Sequence, residues 1–354
     1  MKKRKTANTS SEKKTTTPKP VKKQKLPSPY IICIGTSAGG LNALAQLFSQ
    51  MPATINATIC VVLHLSRSAL GGIFIERIKR EAKLPCKLAE NKEKIKTGHI
   101  YIAPPDAHLL VKKGQIILGQ GPAENRFRPS IDVLFRSTAA AYRERAIGVI
   151  LTGLLNDGTN GMWSIRQCGG KCIVQDPNEA EYPDMILSVL DRMEVDDVTN
   201  LQNMGKILQA LTIQTPGRKV NAPDIIIAES NLSEKMATSI QEVGQLGDHT
   251  VFSFPDCGGG LWRIKNEHME HFRCHIGHSF TKSDLNIKQG ESIEQTLWVA
   301  VRMMEERKLL LSRMTRENKD KGLEKLASEF SERSEQLEYH ITKLKELLFS
   351  VSKE

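Results

Sequence analysis

The sequence predicts an α/β protein in which helices cover both faces of a doubly wound, mainly parallel sheet. A small β module and a C-terminal αα-hairpin are expected to follow. Short apolar runs rich in isoleucine and valine, each followed by a turn and a helical pattern, predict the sheet. Cysteines and histidines between residues 251 and 280 predict the small module. Apolar residues at heptad-like spacing near the C-terminus predict the helices.

The first strand is predicted at residues 30–34, and it runs into the glycine-flanked Ser37 and then an amphipathic helix. Residues 35–39 fit the pattern G-x-S-x-G. A hydroxyl on such a tight turn is held clear of its own backbone, and the amides at the helix N-terminus can stabilise an oxyanion. The alternative is a glycine-rich turn that only lets the strand enter the helix, or that binds a phosphate.

The second strand, predicted at Ala57–Leu63, ends in His64. A dinucleotide site would need G-x-G-x-x-G after the first strand and an acidic residue at the end of the second. Ser37 replaces the middle glycine and His64 replaces the acid, so the sequence argues against a nucleotide site. Residues that follow parallel strands line one crevice, and we therefore expect His64 to lie beside Ser37.

A later strand, predicted at residues 146–151, is followed by a glycine-bounded loop that contains Asp157. Serine, histidine and aspartate at one sheet edge are the set that a hydrolytic triad requires. Taken singly, His64 fits a hydrogen-bonded histidine at a strand end, and Asp157 fits an Asx-turn or a helix cap. Before this strand, Ser130 is predicted to cap a helix that runs to about Tyr142.

Residues 29–214 resemble the catalytic domain of the CheB-type protein-glutamate methylesterases of bacterial chemotaxis. The motifs that carry this resemblance lie, in the family's order and spacing, at residues 34–40, 62–65, 98–108, 128–135 and 151–158. The resemblance implies that Ser37 is the nucleophile, that His64 is the general base and acid, and that Asp157 orients the imidazole. The family order of serine, histidine and aspartate differs from that of the α/β-hydrolases.

The resemblance also implies the substrate, a glutamate γ-methyl ester on a methylated chemoreceptor or a similar signalling protein. Deamidation of receptor glutamines is the implied second activity, because an ester and a primary amide pass through analogous tetrahedral intermediates. The implied chemistry requires no cofactor and no small-molecule partner.

Three residues depart from the family pattern. Ala38 stands where a hydroxyl residue often follows the nucleophile, and Leu154 and Leu155 replace a methionine and a glycine. If this glycine has a positive φ in the family, Leu155 can adopt the same conformation only with backbone strain. The sequence therefore does not determine the geometry of the oxyanion loop. The alternative function is a non-catalytic chemotaxis or signalling adaptor that keeps a methylesterase-like fold.

The composition predicts a cytoplasmic protein without a membrane segment. The 354 residues are 40% hydrophobic and contain no apolar run of 18 residues. Seven scattered cysteines, an odd number, indicate reduced thiols. Cys33, Cys60 and Cys172 are expected in the core.

The net charge of +10 is concentrated at the N-terminus, since residues 1–25 contain ten Lys or Arg and one Glu. Residues 1–28 are expected to form a disordered basic tail. Contact of this tail with nucleic acid or a membrane is not favoured, because no aromatic residue precedes Tyr30. No receiver domain is expected before the catalytic segment.

Residues 215–250 are predicted as a linker with a short strand at residues 225–228. Residues 251–285 resemble a zinc-ribbon-like module in which Phe254 replaces the first cysteine. Zinc requires four ligands, and the sequence supplies Cys257, Cys274 and His278. His268, His271 and His275 are candidates for the fourth ligand, and a metal-free β module is the alternative.

The last segment, residues 286–354, is predicted as a helical hairpin with helices at about residues 292–317 and 323–350 and a break at Gly322. Its apolar positions permit a plain αα-hairpin, self-association or receptor docking, and the pattern does not choose among them.

Overall fold

The computed structural model describes residues 28–64, 73–235, 238–264 and 270–351. Nearly all of the predicted basic tail, together with His268, lies outside the described residues. The core of the fold is a seven-stranded sheet in which every neighbouring pair of strands is parallel. Side by side, the strands are β3 (Cys86–Leu88), β4 (Ile100–Ile102), β2 (Ala57–Leu63), β1 (Tyr30–Thr36), β7 (Ala146–Ile150), β8 (Lys171–Gln175) and β9 (Asp197–Thr199).

Helices cover both faces of this sheet, which confirms the predicted fold class. Alternate residues of β1 point to opposite faces, so Ile31 and Cys33 pack in one core and Ile32 and Ile34 in the other. Cys60 and Cys172 are buried as predicted. The helices of the catalytic segment are α1 (Gly40–Gln50), α2 (Ile73–Glu81), α3 (Ile131–Tyr142), α4 (Thr159–Gln167), α5 (Asp184–Leu190) and α6 (Leu201–Ile213).

The order of the strands places a topological switch point beside β1. The chain leaves β1 toward β2 on one side and returns to β7 on the other side. The connections on the two sides diverge there, which opens a crevice at the carboxyl ends of the strands. A separate antiparallel hairpin, β5 (His108–Lys112) and β6 (Gln115–Gly119), precedes α3.

The segment predicted as a linker carries α7 (Asp224–Glu234) and α8 (Ile240–Gly244). The predicted strand at residues 225–228 is wrong, because these residues form the first turns of α7. A four-residue apolar run fits a strand or a helix equally well. Here Ile226 and Leu232 are buried by the packing of α7, which lies against α3.

The chain then forms a four-stranded antiparallel sheet and two long helices. The strands, in chain order and in order across the sheet, are β10 (Gly247–Ser253), β11 (Gly260–Ile264), β12 (His271–Cys274) and β13 (Ser279–Thr281). The helices are α9 (Lys282–Asp320) and α10 (Glu324–Val351). They pack against each other, and Gly322, which has φ 72° in the left-handed region, lies between them. In the described part of the chain, no helix is long and apolar enough to cross a membrane.

Candidate active site

The register of the central sheet brings Ser37 and His64 to the same edge. Thr36 pairs with Leu63 across β1 and β2, so the next residue of each strand is Ser37 and His64. The His64 amide donates to the Thr36 carbonyl at 3.1 Å. The predicted neighbourhood of the two residues therefore follows from the parallel pairing of two buried strands.

The loop after β7 also contacts Ser37, through Thr152 and Gly153. The Ser37 amide donates to the Thr152 carbonyl at 3.1 Å, and the Thr36 hydroxyl donates to the same oxygen at 2.7 Å. Gly153 must be a glycine here, because a Cβ at this position would lie 2.9 Å from the Ser37 Cβ. This close approach fixes the turn that carries the serine.

The His64 imidazole binds Asp157 through one nitrogen and leaves the other free. Nε2 lies 2.9 Å from Asp157 Oδ2, and the two side chains are 3% and 1% exposed. Nδ1 is buried and has no hydrogen-bond partner among the described residues. The Phe127 ring stacks on the imidazole, with 3.6 Å between the ring centroids and 8° between their planes. With Nε2–H donating to the carboxylate, Nδ1 carries the lone pair that can accept a proton.

Asp157 accepts hydrogen bonds from the start of α3 as well as from His64. The amide of Ile131 donates to Oδ2 at 2.7 Å, and the amide of Asp132 donates to Oδ1 at 3.3 Å. The Ser130 hydroxyl and the Asn125 side chain donate to Oδ1 at 3.0 and 2.8 Å. Ser130 does occupy the cap position, but its side chain makes no capping bond. The Asp157 carboxylate satisfies these helix amides instead.

The many donors keep Asp157 ionised. Burial opposes the charged form, but the bonds from His64, Asn125 and Ile131 outweigh burial and hold the pKa of Asp157 below its usual value. The positive end of α3 acts in the same direction. Burial and the nearby Asp157 carboxylate together raise the pKa of Asp132 to about 7. The buried carboxylate that faces His64 is therefore an anion ready to stabilise an imidazolium.

The backbone around Ser37 leaves donors for an oxyanion. In the described hydrogen bonds the amides of Ala38 and Gly39 have no acceptor, and both precede the first turn of α1. No described hydrogen bond joins Ser37 Oγ to the imidazole, a contact that often forms only when substrate is bound. Leu155 has φ 68°, which lies in the left-handed region. This backbone conformation costs a residue with a Cβ about 1–2 kcal/mol of conformational energy.

Two residues that touch these side chains were not predicted from the sequence. Asn125 bridges Asp157 and Asp132, and Phe127 covers the imidazole. Both lie in an irregular turn in which Asn125 has φ 50°, and no periodic pattern marks such a turn. The neighbouring Arg128 donates to the Gly121 carbonyl and so braces the same loop.

The predicted metal ligands lie together in the small sheet. Cys257 Sγ is 4.0 Å from Cys274 Sγ, and Cys274 Sγ is 3.4 Å from His278 Nδ1. Phe254, which replaces the expected first cysteine, is buried and stacks on Phe280. The candidates for the fourth ligand are placed differently, since His271 binds Glu229 at 2.9 Å whereas His275 lies against Gly259 beside Cys257.

The fold and this edge define the class of the protein, an α/β protein with a parallel sheet that gathers a serine, a histidine and an aspartate at its switch point. Comparison with known proteins defines the family. The model of the CheB methylesterase family matches residues 32–208, half of the chain. The chain belongs to the CheB methylesterase family.

Individual relatives agree with this assignment. The chain is 38% identical over 177 residues to a Leptospira interrogans protein, provisionally named a protein-glutamate methylesterase/protein-glutamine glutaminase, and the match covers 50% of this chain and 91% of that protein. It is 35% identical over 181 residues to the enzyme of that name from Maricaulis maris, covering 50% of this chain and 45% of the relative. The crystal structure of the Thermotoga maritima CheB methylesterase catalytic domain is 31% identical, with a TM-score of 0.50, and the match covers 52% of this chain and all of that one.

Proposed function

We propose that this chain hydrolyses glutamate γ-methyl esters of chemoreceptors, with Ser37 as nucleophile, His64 as general base and acid, and Asp157 as the group that orients the imidazole. The observation that carries the proposal is the bond between His64 Nε2 and the buried Asp157 carboxylate. That bond leaves Nδ1, which has no hydrogen-bond partner in the described part of the chain, to take the serine proton. The family membership supports the same activity.

Acylation begins when Ser37 Oγ attacks the ester carbonyl carbon and His64 Nδ1 takes the hydroxyl proton. Backbone amides at the start of α1 are placed to stabilise the resulting oxyanion. The tetrahedral intermediate then collapses, the bond between the carbonyl carbon and the methoxy oxygen breaks, and the imidazolium protonates the leaving group. Methanol departs, and a glutamyl ester of Ser37 remains.

Deacylation repeats these steps with water. Nδ1 of His64 takes a proton from the water that attacks the acyl carbon, and it returns this proton to Ser37 Oγ as the acyl bond breaks. The product is a glutamate side chain. A receptor glutamine follows the same route with ammonia as the leaving group, so we propose glutaminase activity as well. Every proton transfer uses a group of the chain or water, so the route needs no cofactor.

Release of methanol tests the proposed activity. We expect the full chain to release methanol from the methyl-esterified cytoplasmic fragment of a chemoreceptor and to leave glutamate at the methylated positions. The same fragment with glutamine at those positions should release ammonia. The control is each fragment incubated without the protein. Methanol release no faster than in this control, from protein that is folded by circular dichroism, would contradict the proposed activity.

The remaining assignments extend the proposal to the whole chain. We propose that the protein is a signal-transduction enzyme of the cytoplasm whose partner is a methylated receptor. We divide the chain into a basic tail at residues 1–28, a methylesterase domain at 29–214, a connecting segment at 215–250, a zinc-ribbon-like module at 251–285 and a helical hairpin at 286–354. Helix α7 of the connecting segment packs against α3 of the methylesterase domain, and α8 packs against β10 of the small sheet.

The small module is proposed to hold one structural zinc ion. Tetrahedral coordination with Zn–S bonds of about 2.3 Å separates two sulfurs by about 3.8 Å. The Cys257 and Cys274 sulfurs are 4.0 Å apart, and His278 Nδ1 lies 3.4 Å from the second of them. In the described part of the chain, the ligand atoms of Cys257, Cys274 and His278 lie within 4.8 Å of one another and those of His275 lie outside this group. We propose His275, which lies near Gly259 and Cys257, as the fourth ligand after a change of its side-chain rotamer.

Metal analysis tests this site. Protein purified without added metal is expected to contain about one zinc ion per chain, since a structural site is closed by protein ligands. Cys257→Ser should lower the zinc content severalfold. Cys86→Ser is the matched control, because Cys86 is half-buried in β3, outside the cluster. Only trace zinc in the wild-type protein would show that the module is metal-free, and equal zinc in Cys257→Ser would show that the proposed cluster does not hold the metal.

A further inference from the structure

The turn at residues 124–127 touches both the histidine and the aspartate of the proposed triad. The amide of Glu124 donates to the Phe127 carbonyl at 3.1 Å, and the amide of Phe127 donates back at 3.0 Å. Within this turn Asn125 donates to Asp157, and the Phe127 ring stacks on His64. The turn therefore contributes to the position of both side chains, together with the bonds from the start of α3 to Asp157.

The opposite side of this turn is attached to a buried charge cluster. The Glu124 carboxylate, 2% exposed, accepts from Arg136 of α3 at 2.7 Å and from Ser233 of α7 at 2.6 Å. It also accepts from Arg273 at 2.8 Å. Arg273 belongs to β12 of the small sheet, and its side chain is 1% exposed. One of the two guanidinium groups that bind the turn thus comes from outside the methylesterase domain.

Two further contacts join the small sheet to the same region. The Asn125 amide donates to the Ser279 carbonyl at 2.8 Å. Asn156, the residue before Asp157, donates from its side chain to the Thr281 hydroxyl at 3.2 Å. Residues 279–281 form β13, so this strand touches both loops that position Asp157.

Arg273 is itself held by a second set of contacts. Its guanidinium donates to the Gly277 carbonyl at 3.1 Å and lies 3.6 Å from Glu229 Oε1, which His271 engages at 2.9 Å. An exposed ion pair contributes little to stability, but the loss of one partner from a buried pair leaves an uncompensated charge. Separation of Arg273 from Glu124 therefore costs free energy, so the buried ion pair holds the turn against the small sheet.

We propose that the small C-terminal sheet completes the active site, with Arg273 as a positioning residue that acts through Glu124 and the turn at residues 124–127. This inference rests on the proposed function, since Asp157 and His64 are the groups positioned. It assigns to the small sheet a part in catalysis that is separate from metal binding. The turnover of the methylesterase domain then depends on a residue about 60 positions beyond the end of that domain.

Steady-state kinetics of Arg273 variants test this inference. Ser37 is titrated with a fluorophosphonate so that kcat is expressed per reactive site, and KM is measured with the methylated receptor fragment. Arg273→Met should lower kcat per site about 10- to 100-fold with little change in KM, because small displacements of positioned groups cost turnover. Arg273→Lys should lose less, since it keeps the charge but not the planar fork of donors. Arg263→Met is the matched control, because Arg263 lies on the neighbouring strand with an exposed side chain.

The outcomes separate positioning from simple stabilisation. A purely structural role would reduce the number of sites that label and leave kcat per site unchanged, and that result in both Arg273 variants would overturn the inference. If Arg273→Met does not fold, Arg273→Lys decides in the same way. If the wild-type chain releases no methanol, the proposed function fails, and the rate constant for labelling of Ser37 becomes the readout. That rate constant should fall in the Arg273 variants and not in Arg263→Met.

Discussion

Replacement of Ser37 by alanine is expected to abolish methanol release, with turnover reduced by about 10⁴-fold or more. The alanine lacks the atom that forms the acyl bond, and water attacking directly gains only from the backbone amides and from substrate binding. The fold should be unaffected, because the Ser37 side chain makes no described hydrogen bond and the turn is held by the backbone bond from its amide to Thr152. The measurement is methanol release together with the thermal unfolding midpoint.

Ser49→Ala provides the matched control for this variant. Ser49 lies near the end of α1, and its hydroxyl donates only to the Gln46 carbonyl, so its loss should change neither activity nor the unfolding midpoint appreciably. A folded Ser37→Ala protein with wild-type turnover would refute the nucleophile. Another serine or a directly activated water would then have to carry the reaction.

Replacement of Asp157 by asparagine is expected to lower kcat by about 10²-fold or more, with KM nearly unchanged. Both carboxylate oxygens accept hydrogen bonds, Oδ2 from His64 and Ile131 and Oδ1 from Asn125, Ser130 and Asp132. An amide must turn an NH₂ group toward one of these sets of donors. The substitution therefore either disturbs the bond to His64 or breaks the contacts at the start of α3, and it removes the charge that stabilises an imidazolium.

The matched control for this change is Asp176→Asn. Asp176 follows β8, the strand next to β7, and its side chain accepts from the Asn178 amide without contacting the triad residues. It should retain wild-type kcat. If Asp157→Asn raised KM and left kcat unchanged, Asp157 would be a residue of the substrate-binding loop, and the group that orients His64 would have to be sought elsewhere.

The sequence identified the three residues of the proposed triad because each follows a buried strand. The strand at Ala57–Leu63 was predicted with its observed bounds, and parallel strands place the residues that follow them at one edge. The same argument did not assign roles to the two nitrogens of His64. Nε2 binds Asp157, and Nδ1 has no partner among residues 28–64, 73–235, 238–264 and 270–351, because of the direction from which the loop after β7 approaches.

Ser130 shows how tertiary structure changes the role of a residue at a correctly predicted position. The sequence places it at the start of α3, where a serine ordinarily caps the helix. In the structure the Asp157 carboxylate accepts from the helix amides, and the Ser130 hydroxyl donates to that carboxylate. Asp157 has two acceptor oxygens and a full charge, so it displaces the weaker cap once the fold brings it there.

By itself the sequence determined the parallel sheet, the edge at which Ser37, His64 and Asp157 meet and the grouping of Cys257, Cys274 and His278, because strand pattern and residue type are local properties. Only the tertiary structure decided that residues 225–228 are helical and that Arg273 reaches Glu124. The first outcome depends on the packing of α7 against α3, and the second on two charges that lie 149 positions apart in the chain. A local pattern carries no information about such pairings.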